Sequence, residues 1–451
     1  MKRTIALWLA ACFAAACQIP YLGGAGQAGL PQGGLHRREA ERGLLSITPF
    51  LSAGVNYATG LGRVTLEPTG RVPEFSTGSV YATGGVSGAH AWRHSVAGIY
   101  YTASYNQTLD YGNLSGFGQS LGAAYTREIG RYSELSFVAT GAMSNWAFGA
   151  PGAAGLSSLN TTGLLYVDPF TPYEMNSEIL DARTYSLGFS TNYTRRIGRY
   201  WTASAGGVAF DSFRKVKGLP GAFGYVAQGG AGRRLTRRTH LILNYAYLRY
   251  EFSKAFGDST AHQGMAGLSW TLDEHSSLSL TGGVARVERL ALTRVTLPPA
   301  LAAILGTDVG QEVFYGDNKF GVAAAHYHRS LRHASITAGY NLSIVPGNGF
   351  YVTSRSHSAT FQYSRTAFRR WSLGVNASAL RYAALMQNLK PQDSYYLTGS
   401  ASRSVGTLLS FGGSAGYRRI LSGNVGFVRS SAYVSAHIAL SPHTLRVPAW
   451  W

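Results

Sequence analysis

The chain has 451 residues and a formal net charge of +19, but only 14% of its residues are charged, while 12% are aromatic. Soluble domains carry about 25% charged residues, so this composition argues against an ordinary soluble enzyme, and the aromatic content excludes a disordered chain. After the first twenty residues no stretch is apolar for about 18 positions, so the sequence predicts no mature transmembrane helix. A membrane protein of this kind would have to cross with the strands of a closed barrel.

The N-terminus has the features of an export signal. Lys2 and Arg3 form a positive region, residues 4–16 are apolar, and Ala14-Ala15-Ala16 resembles a cleavage site, so we predict a cleavable signal peptide over residues 1–17. Both cysteines, Cys12 and Cys17, lie in this segment, which leaves no disulfide framework. Cys17 also resembles a lipoprotein acceptor, although the leucine usual in that pattern is missing.

Residues 18–44 are Gly-rich and lack periodicity, which predicts a flexible periplasmic linker. From residue 45 to 440 apolar and polar residues alternate with a period of two, the pattern of β-strands with one wet and one dry face. Residues 333–346 (HASITAGYNLSIVP) are typical, since the apolar positions are all even: Ala334, Ile336, Ala338, Tyr340, Leu342 and Ile344. The dry face of such a strand contacts either a soluble core or lipid.

Eight short turns separate these strands, centred near residues 93, 131, 198, 237, 274, 331, 369 and 406. The common spacing of about 38 residues accommodates two long strands rather than the four short ones of a propeller blade. Adding one strand before the turns (46–58) and completing the last pair (408–421 with 428–440) predicts an all-β fold. It is an up-and-down antiparallel barrel of about 18 strands, with 16 as the alternative and both termini at the tight-turn end. Two wide gaps predict large loops at 147–182 and 290–316.

Tryptophan placement favours lipid over a soluble core. Trp92, Trp201, Trp270 and Trp371 lie within four residues of a turn centre, and Trp146 lies at the opposite end of its strand. Amphipathic rings at strand ends are typical of an aromatic girdle at lipid headgroups. The competing interpretation is that aromatic residues simply favour strands.

With its signal peptide, alternation, Arg- and aromatic-rich turns and cysteine-free strands, the chain resembles the bacterial outer-membrane β-barrel class, porin-like in architecture, over roughly residues 45–440. The resemblance identifies no subfamily. It implies a bacterial outer-membrane location, contact with outer-membrane lipids, insertion by the barrel-assembly machinery and a possible homo-oligomer. One departure is a C-terminal tail, 441–451, in which Pro442 and Pro448 interrupt the strand pattern before Trp451.

The positive charge is concentrated at the tight turns. The arginines in or beside them are Arg93, Arg127, Arg131, Arg195, Arg196, Arg199, Arg233, Arg234, Arg237, Arg238, Arg329, Arg332, Arg369, Arg370 and Arg403. This rim would either stay solvated beside lipid phosphates or bias a pore toward anions. No basic patch is interleaved with stacking aromatics, so we predict no nucleic-acid binding.

The third loop, residues 149–183, carries the acidic residues Asp168, Glu174, Glu178 and Asp181. The resemblance implies that this loop folds into the lumen and sets its carboxylates against wall arginines such as Arg249 or Arg418, as a pore constriction. The alternative is an acidic loop exposed at the cell surface.

Two further patterns favour structural over chemical roles. Ser414 lies in a G-x-S-x-G match within a strand, where a lumen position is favoured over a nucleophile. His326 and His328 share one strand face, but a metal site would need ligands from other strands, so an interfacial position is favoured.

The sequence therefore predicts a porin-like passive channel for small polar or anionic solutes, with no catalytic residues, metal or cofactor. The alternatives are a substrate-specific transporter or exporter of a polysaccharide, and a plugged structural or surface barrel. An enzyme on a barrel rim would need a local acid–base or nucleophilic cluster.

Overall fold

A computed structural model describes the barrel strands and most of their short connections. The described residues are 44–62, 74–110, 115–144, 184–214, 221–253, 257–296, 298, 309–345, 353–367, 370–385, 390–406, 408–422, 427–440 and 445–448. The predicted signal peptide and linker lie outside them. Within this part of the chain, no helix is long and apolar enough to span a bilayer.

Nineteen strands follow one another in chain order. They are β1 (Leu44–Gly62), β2 (Glu74–Ala91), β3 (Ser95–Thr108), β4 (Gly116–Ile129), β5 (Ser133–Ser144), β6 (Thr184–Ile197), β7 (Trp201–Arg214), β8 (Gly221–Arg234), β9 (Thr239–Ser253), β10 (Asp258–Thr271), β11 (Ser276–Thr296), β12 (Val309–Leu331), β13 (Ala334–Val345), β14 (Ser354–Ala367), β15 (Trp371–Ala384), β16 (Gln392–Val405), β17 (Leu409–Ser422), β18 (Phe427–Leu440) and β19 (Leu445–Pro448).

The strands form one closed antiparallel barrel of eighteen staves. Each strand from β2 to β17 pairs with its two sequence neighbours, and β18 returns to pair with β1 from Leu51↔Leu440 to Thr59↔Ala432. This confirms the predicted fold and strand number, with both termini at the tight-turn end. The predicted C-terminal tail contains an additional short strand, since β19 pairs with the start of β1 from Leu44↔Pro448 to Ile47↔Leu445.

The strands alternate between an outward and an inward face, as the sequence pattern predicts. On β1, Leu51, Val55 and Tyr57 point outward and are about half exposed (54–55%), whereas Phe50 and Ser52 point inward and are buried. The register carries this phase around the barrel, because residues paired across neighbouring strands share a face. The even positions of residues 334–342 accordingly lie on the outer surface.

The tight-turn end carries aromatic rings on its outer surface. Trp92, Trp201 and Trp371 are about 40% exposed, and Arg233 and Arg403 lie over the rings of Trp201 and Trp371 at 5.3 and 5.6 Å. Trp270 shares the outward face of β10 with His262 and Leu268. Trp146 lies outside the described residues.

Glycine shapes three of the tight turns. Gly130, Gly198 and Gly406 have φ angles of 71°, 67° and 70°, a left-handed conformation that L side chains rarely adopt. These are the glycines of the sequence patterns IGRYS, IGRYW and VGTLLS. The local sequence therefore fixes the chain reversal at these sites.

The predicted loop at 290–316 is largely wrong. β11 continues to Thr296 and β12 begins at Val309, and their pairing runs without interruption from Leu290↔Tyr315 to Thr296↔Val309. Only residues 297–308 connect the two strands. The reason is compositional, because Leu, Val, Thr and Tyr in these stretches favour strand pairing beyond the length needed to cross a bilayer.

Candidate functional site: the inner wall of the barrel

The inner face of β14–β18 is lined by small hydroxyl and amide side chains, and we call it the polar sector. Its inward residues include Ser356, Thr360, Gln362, Asn376, Ser394, Thr398, Ser402, Ser414, Ser431 and Ser435. Many of these donors and acceptors bond each other across strands: Ser414 and Ser435 are joined at 2.7 Å, and the hydroxyl of Tyr433 lies 2.9 Å from that of Tyr396. Such a surface stays wetted without attracting either sign of charge.

Three arginines add positive charge to the inner wall. Arg289 on β11, Arg418 on β17 and Arg429 on β18 point inward and are only 6%, 8% and 5% exposed. An arginine stays protonated at any physiological pH, so each contributes a full charge to the lumen. The sequence analysis predicted Arg418 and missed the other two.

Arg418 and Arg429 belong to one group. Arg418 pairs with Tyr396 on one side and Ser431 on the other, and Arg429 lies two residues before Ser431 on the same face. The Nε of Arg429 donates a hydrogen bond of 2.6 Å to the carbonyl oxygen of Gly60 on β1, which anchors the side chain beside the closing seam. Two guanidinium groups therefore lie on adjacent strands, next to the phenol hydroxyls of the polar sector.

Arg289 lies on the other side of the barrel, where its guanidinium carbon is 5.2 Å from the centre of the Phe314 ring. An aromatic face stabilises a cation at this distance. Its Nε has no hydrogen-bond partner among the described residues. The guanidinium is therefore held by packing at the base of the extended β11–β12 hairpin.

The loop-side half of β7–β13 presents a different inner surface, which we call the apolar sector. Its buried side chains are Phe210, Ala222, Leu248, Tyr250, Phe252, Ala261, Met265, Ala285, Val287, Val322, Ala324 and Ile344. They form one continuous cluster with exposures between 0% and 8%. The inner wall therefore combines a packed apolar side with a polar, arginine-bearing side.

The predicted lumen position of Arg249 is wrong. Arg249 points outward from β9, where its Nη2 lies 3.3 Å from a carboxylate oxygen of Glu251 and 3.4 Å from one of Asp258. The sequence could not settle the phase of β9, because both of its faces are apolar: Leu241 and Leu243 point outward, and Ile242 and Leu248 point inward. The acidic residues predicted to face it, Asp168, Glu174, Glu178 and Asp181, lie outside the described residues.

The remaining candidate residues occupy inner-wall positions. Ser414 lies within β17 and bonds Ser435, which supports a lumen position over a nucleophile. His326 and His328 point inward from β12 rather than lying at the interface with lipid, and His328 Nδ1 is 3.2 Å from the hydroxyl of Thr337. In the described part of the chain, no three His, Cys, Asp or Glu residues are grouped closely enough to hold a metal ion.

Comparison with known proteins adds likeness of chain path only. No family model matches the sequence, and no curated protein matches it. Among solved structures the model is similar to OccAB3 of Acinetobacter baumannii, with 9% identity, a TM-score of 0.42, and coverage of 89% of this chain and 99% of that one. For a BenF-like porin of Pseudomonas fluorescens Pf-5 the values are 10%, 0.41, 88% and 99%. For OccK2 (OpdF) of Pseudomonas aeruginosa in complex with glucuronate they are 10%, 0.42, 88% and 98%.

Proposed function

We propose that this chain forms a passive channel for small organic anions in a bacterial outer membrane. The observation that carries the proposal is the set of three inward arginines, Arg289, Arg418 and Arg429, on a wall otherwise lined by neutral groups. Because a narrow, low-dielectric passage focuses the field of such charges, anions would be concentrated and cations depleted in the lumen.

The membrane placement is supported by the outer surface. Its strands expose Leu, Val, Ile and Phe over a band that ends at the tryptophans of the tight turns, the arrangement expected of a surface solvated by acyl chains. Outer-membrane lipids are therefore the expected surroundings, and insertion by the barrel-assembly machinery is the expected route. Location in the outer membrane and any homo-oligomer are part of the proposal.

The two-sided wall indicates which anions would fit best. A solute with a carboxylate and a hydrocarbon or ring portion could place its charge against Arg418 and Arg429 and its apolar part against the apolar sector. Pairing a carboxylate with guanidinium groups supplies directional hydrogen bonds, and the apolar side contributes desolvation. The function proposed is transport down a concentration gradient, with no chemical change of the solute.

The decisive experiment is a planar-bilayer recording of the refolded full-length chain under a salt gradient. We expect discrete conductance steps and a reversal potential that shows anion preference. Removing a charge about 4 Å from a permeating ion changes its energy by about 1 kcal/mol in water, so Arg418→Gln with Arg429→Gln should lower the anion-to-cation permeability ratio several-fold at low salt.

The matched control is Arg249→Gln, which removes a charge from the outer face of β9 and should leave the permeability ratio unchanged. Cation preference in the unmodified protein, or equal effects of the inner and outer variants, would contradict the proposal. A folded barrel without conductance would favour the plugged structural alternative.

A further inference from the structure

The outer surface carries a ring of charged residues far from the tight turns. Arg249, Arg286, Arg381 and Arg419 each lie ten residues after the first residue of their strands, which are Thr239, Ser276, Trp371 and Leu409. Ten residues at about 3.3 Å, tilted by about 40°, rise about 25 Å along the barrel axis, the height of the apolar band of such barrels. The ring therefore lies at headgroup level in the leaflet on the loop side.

On one side of the barrel the ring is neutralised by its own ion pairs. Arg286 Nη2 lies 2.8 Å from Asp317 and 2.9 Å from Glu288, and Arg249 bridges two further carboxylates. With Lys319, this balanced sector on β9–β12 holds three cations and four carboxylates: Arg249, Arg286, Lys319, Glu251, Asp258, Glu288 and Asp317. Such a surface neither needs nor favours an anionic partner.

On β14–β17 the same ring has a clear excess of positive charge. This basic sector comprises Arg355, His357, Arg381 and Arg419, and the carboxylate on this surface is that of Asp393. Its contact with Arg381 is long, 3.6 Å between Nε and Oδ1, and the Arg381 side chain remains 56% exposed. Among the described residues neither Arg355 nor Arg419 has a carboxylate partner, and the Nε of Arg355 makes no hydrogen bond.

The geometry of the basic sector brings its cations together. His357 is directly opposite Arg381, and Arg355 lies two residues before His357 on the same face, so the two guanidinium groups are diagonal neighbours. Long side chains at such positions reach one another, since diagonal positions are separated by about 7–8 Å. Tyr340 and Tyr395 flank the group, with the Tyr340 hydroxyl 3.0 Å from His357 Nδ1.

We propose that this basic sector binds a phosphorylated lipid headgroup in the loop-side leaflet. The occupant is a lipid because the side chains project from the membrane-facing surface, directly above the apolar band. It is phosphorylated because two guanidinium groups and an imidazole match a phosphate by charge and by paired hydrogen bonds. The inference requires the membrane placement but not conduction, since these residues face away from the lumen.

The test uses native mass spectrometry of the refolded full-length protein in detergent, mixed with bisphosphorylated lipid A. We expect discrete lipid adducts, reduced by about tenfold or more in the double variant Arg355→Gln with Arg381→Gln. Removing two charge-assisted contacts is expected to have an effect of at least this size. Substituting Arg355→Lys with Arg381→Lys retains the charge and should restore part of the binding.

The matched control is Arg249→Gln with Arg286→Gln, which makes the same change of net charge at the same height in the balanced sector. Unchanged adducts in this control are expected. Equal loss in both double variants would overturn the proposal, and so would equal binding of a dephosphorylated lipid A, which would show binding by acyl chains alone.

Two further arms keep the outcomes distinct. Complete displacement by millimolar inorganic phosphate would show a site for free phosphate and overturn assignment to a lipid headgroup. Conductance of the same preparations should not change in the Arg355→Gln, Arg381→Gln variant. Loss of lipid adducts with intact conductance would support the proposal, whereas conductance without any lipid specificity would refute it and leave the channel function standing.

Discussion

At the scale of single residues, the phase of the alternation decides what a charge can do. The sequence placed Arg418 in the lumen correctly and Arg249 incorrectly, and the difference lies in their strands. On β17, Phe411 and Tyr417 mark the outward positions, whereas β9 is apolar on both faces and offers no such signal. Arg289 and Arg429 were missed although their strands could have revealed them, because Val284 and Val434 fix the outward phase nearby.

A residue-scale prediction concerns Asp273 in the turn between β10 and β11. Its carboxylate accepts hydrogen bonds from the amide of His275 at 2.7 Å and from the hydroxyl of Ser276 at 3.0 Å, and these hold the pKa of Asp273 below its ordinary value of 3.8. Because the folded-state pKa is the lower one, this stabilisation is present above pH 3.8 and is lost as the pH falls through the folded-state pKa.

We therefore expect Asp273→Asn to be slightly less stable than the unmodified protein at pH 6, with the difference vanishing at low pH. The measurement is the urea midpoint of unfolding in detergent, followed by tryptophan fluorescence from pH 6 to pH 2. Glu274→Gln, an exposed neighbour, is the control. A difference that stays constant over this range would rule out the linkage.

At the scale of elements, the strands and turns were predictable because their signals are local. A period of two, a glycine in a turn and tryptophans near the chain reversals all act within a few residues. The extended hairpin of β11 and β12 was not predictable from turn spacing, since spacing alone does not distinguish a loop from strands that continue beyond the bilayer. Only the pairing between Leu290–Thr296 and Val309–Tyr315 shows that the segment is ordered.

Close approach of neighbouring strands gives an element-scale prediction at Gly283 on β11. A Cβ added there would contact the carbonyl oxygen of Gly264 and lie 2.8 Å from both the carbonyl carbon of Gly264 and the Cα of Met265. Backbone atoms cannot move aside, so Gly283→Ala should destabilise the barrel by about 1–3 kcal/mol, the usual range for overpacking.

The control is Gly264→Ala on the neighbouring strand, where an added Cβ meets nothing within 4 Å. It should change the free energy of unfolding by no more than about 0.5 kcal/mol. Urea unfolding of both variants in the same detergent gives the comparison. Similar destabilisation by the two alanines would mean that the inner packing between β10 and β11 is looser than described.

At the scale of the whole molecule, closure depends on one pairing that the sequence does not display. Strand number followed from counting turns, but the match of β1 with β18 depends on complementarity between segments nearly 400 residues apart. Ala53 lies directly opposite Ile438 across this seam. The arrangement of inner charge also appears only at this scale, because Arg429 contacts Gly60 across the same seam.

Closure predicts a specific cross-link. With Cys12 and Cys17 replaced by serine, the pair Ala53→Cys and Ile438→Cys should form a disulfide on mild oxidation, because directly opposed Cβ atoms lie about 4.5–5.5 Å apart. The pair Ala53→Cys and Val434→Cys, four residues out of register, should not. Non-reducing electrophoresis after denaturation distinguishes them, and cross-linking of the second pair instead would refute this register.

The seam has a consequence for how the ring comes together. Every other junction in the barrel joins strands that follow each other in the chain, whereas the hydroxyl of Thr59 reaches the carbonyl oxygen of Ala432 across 373 positions. The entropy of closing a loop grows only with the logarithm of its length, by about 0.6 kcal/mol for each doubling. Going from a hairpin of about a dozen residues to the full circumference is about five doublings, so the last junction is only about 3 kcal/mol harder to form than the first. The barrier to completing the ring is therefore one of timing, because β1 must keep an open edge until the final strand arrives.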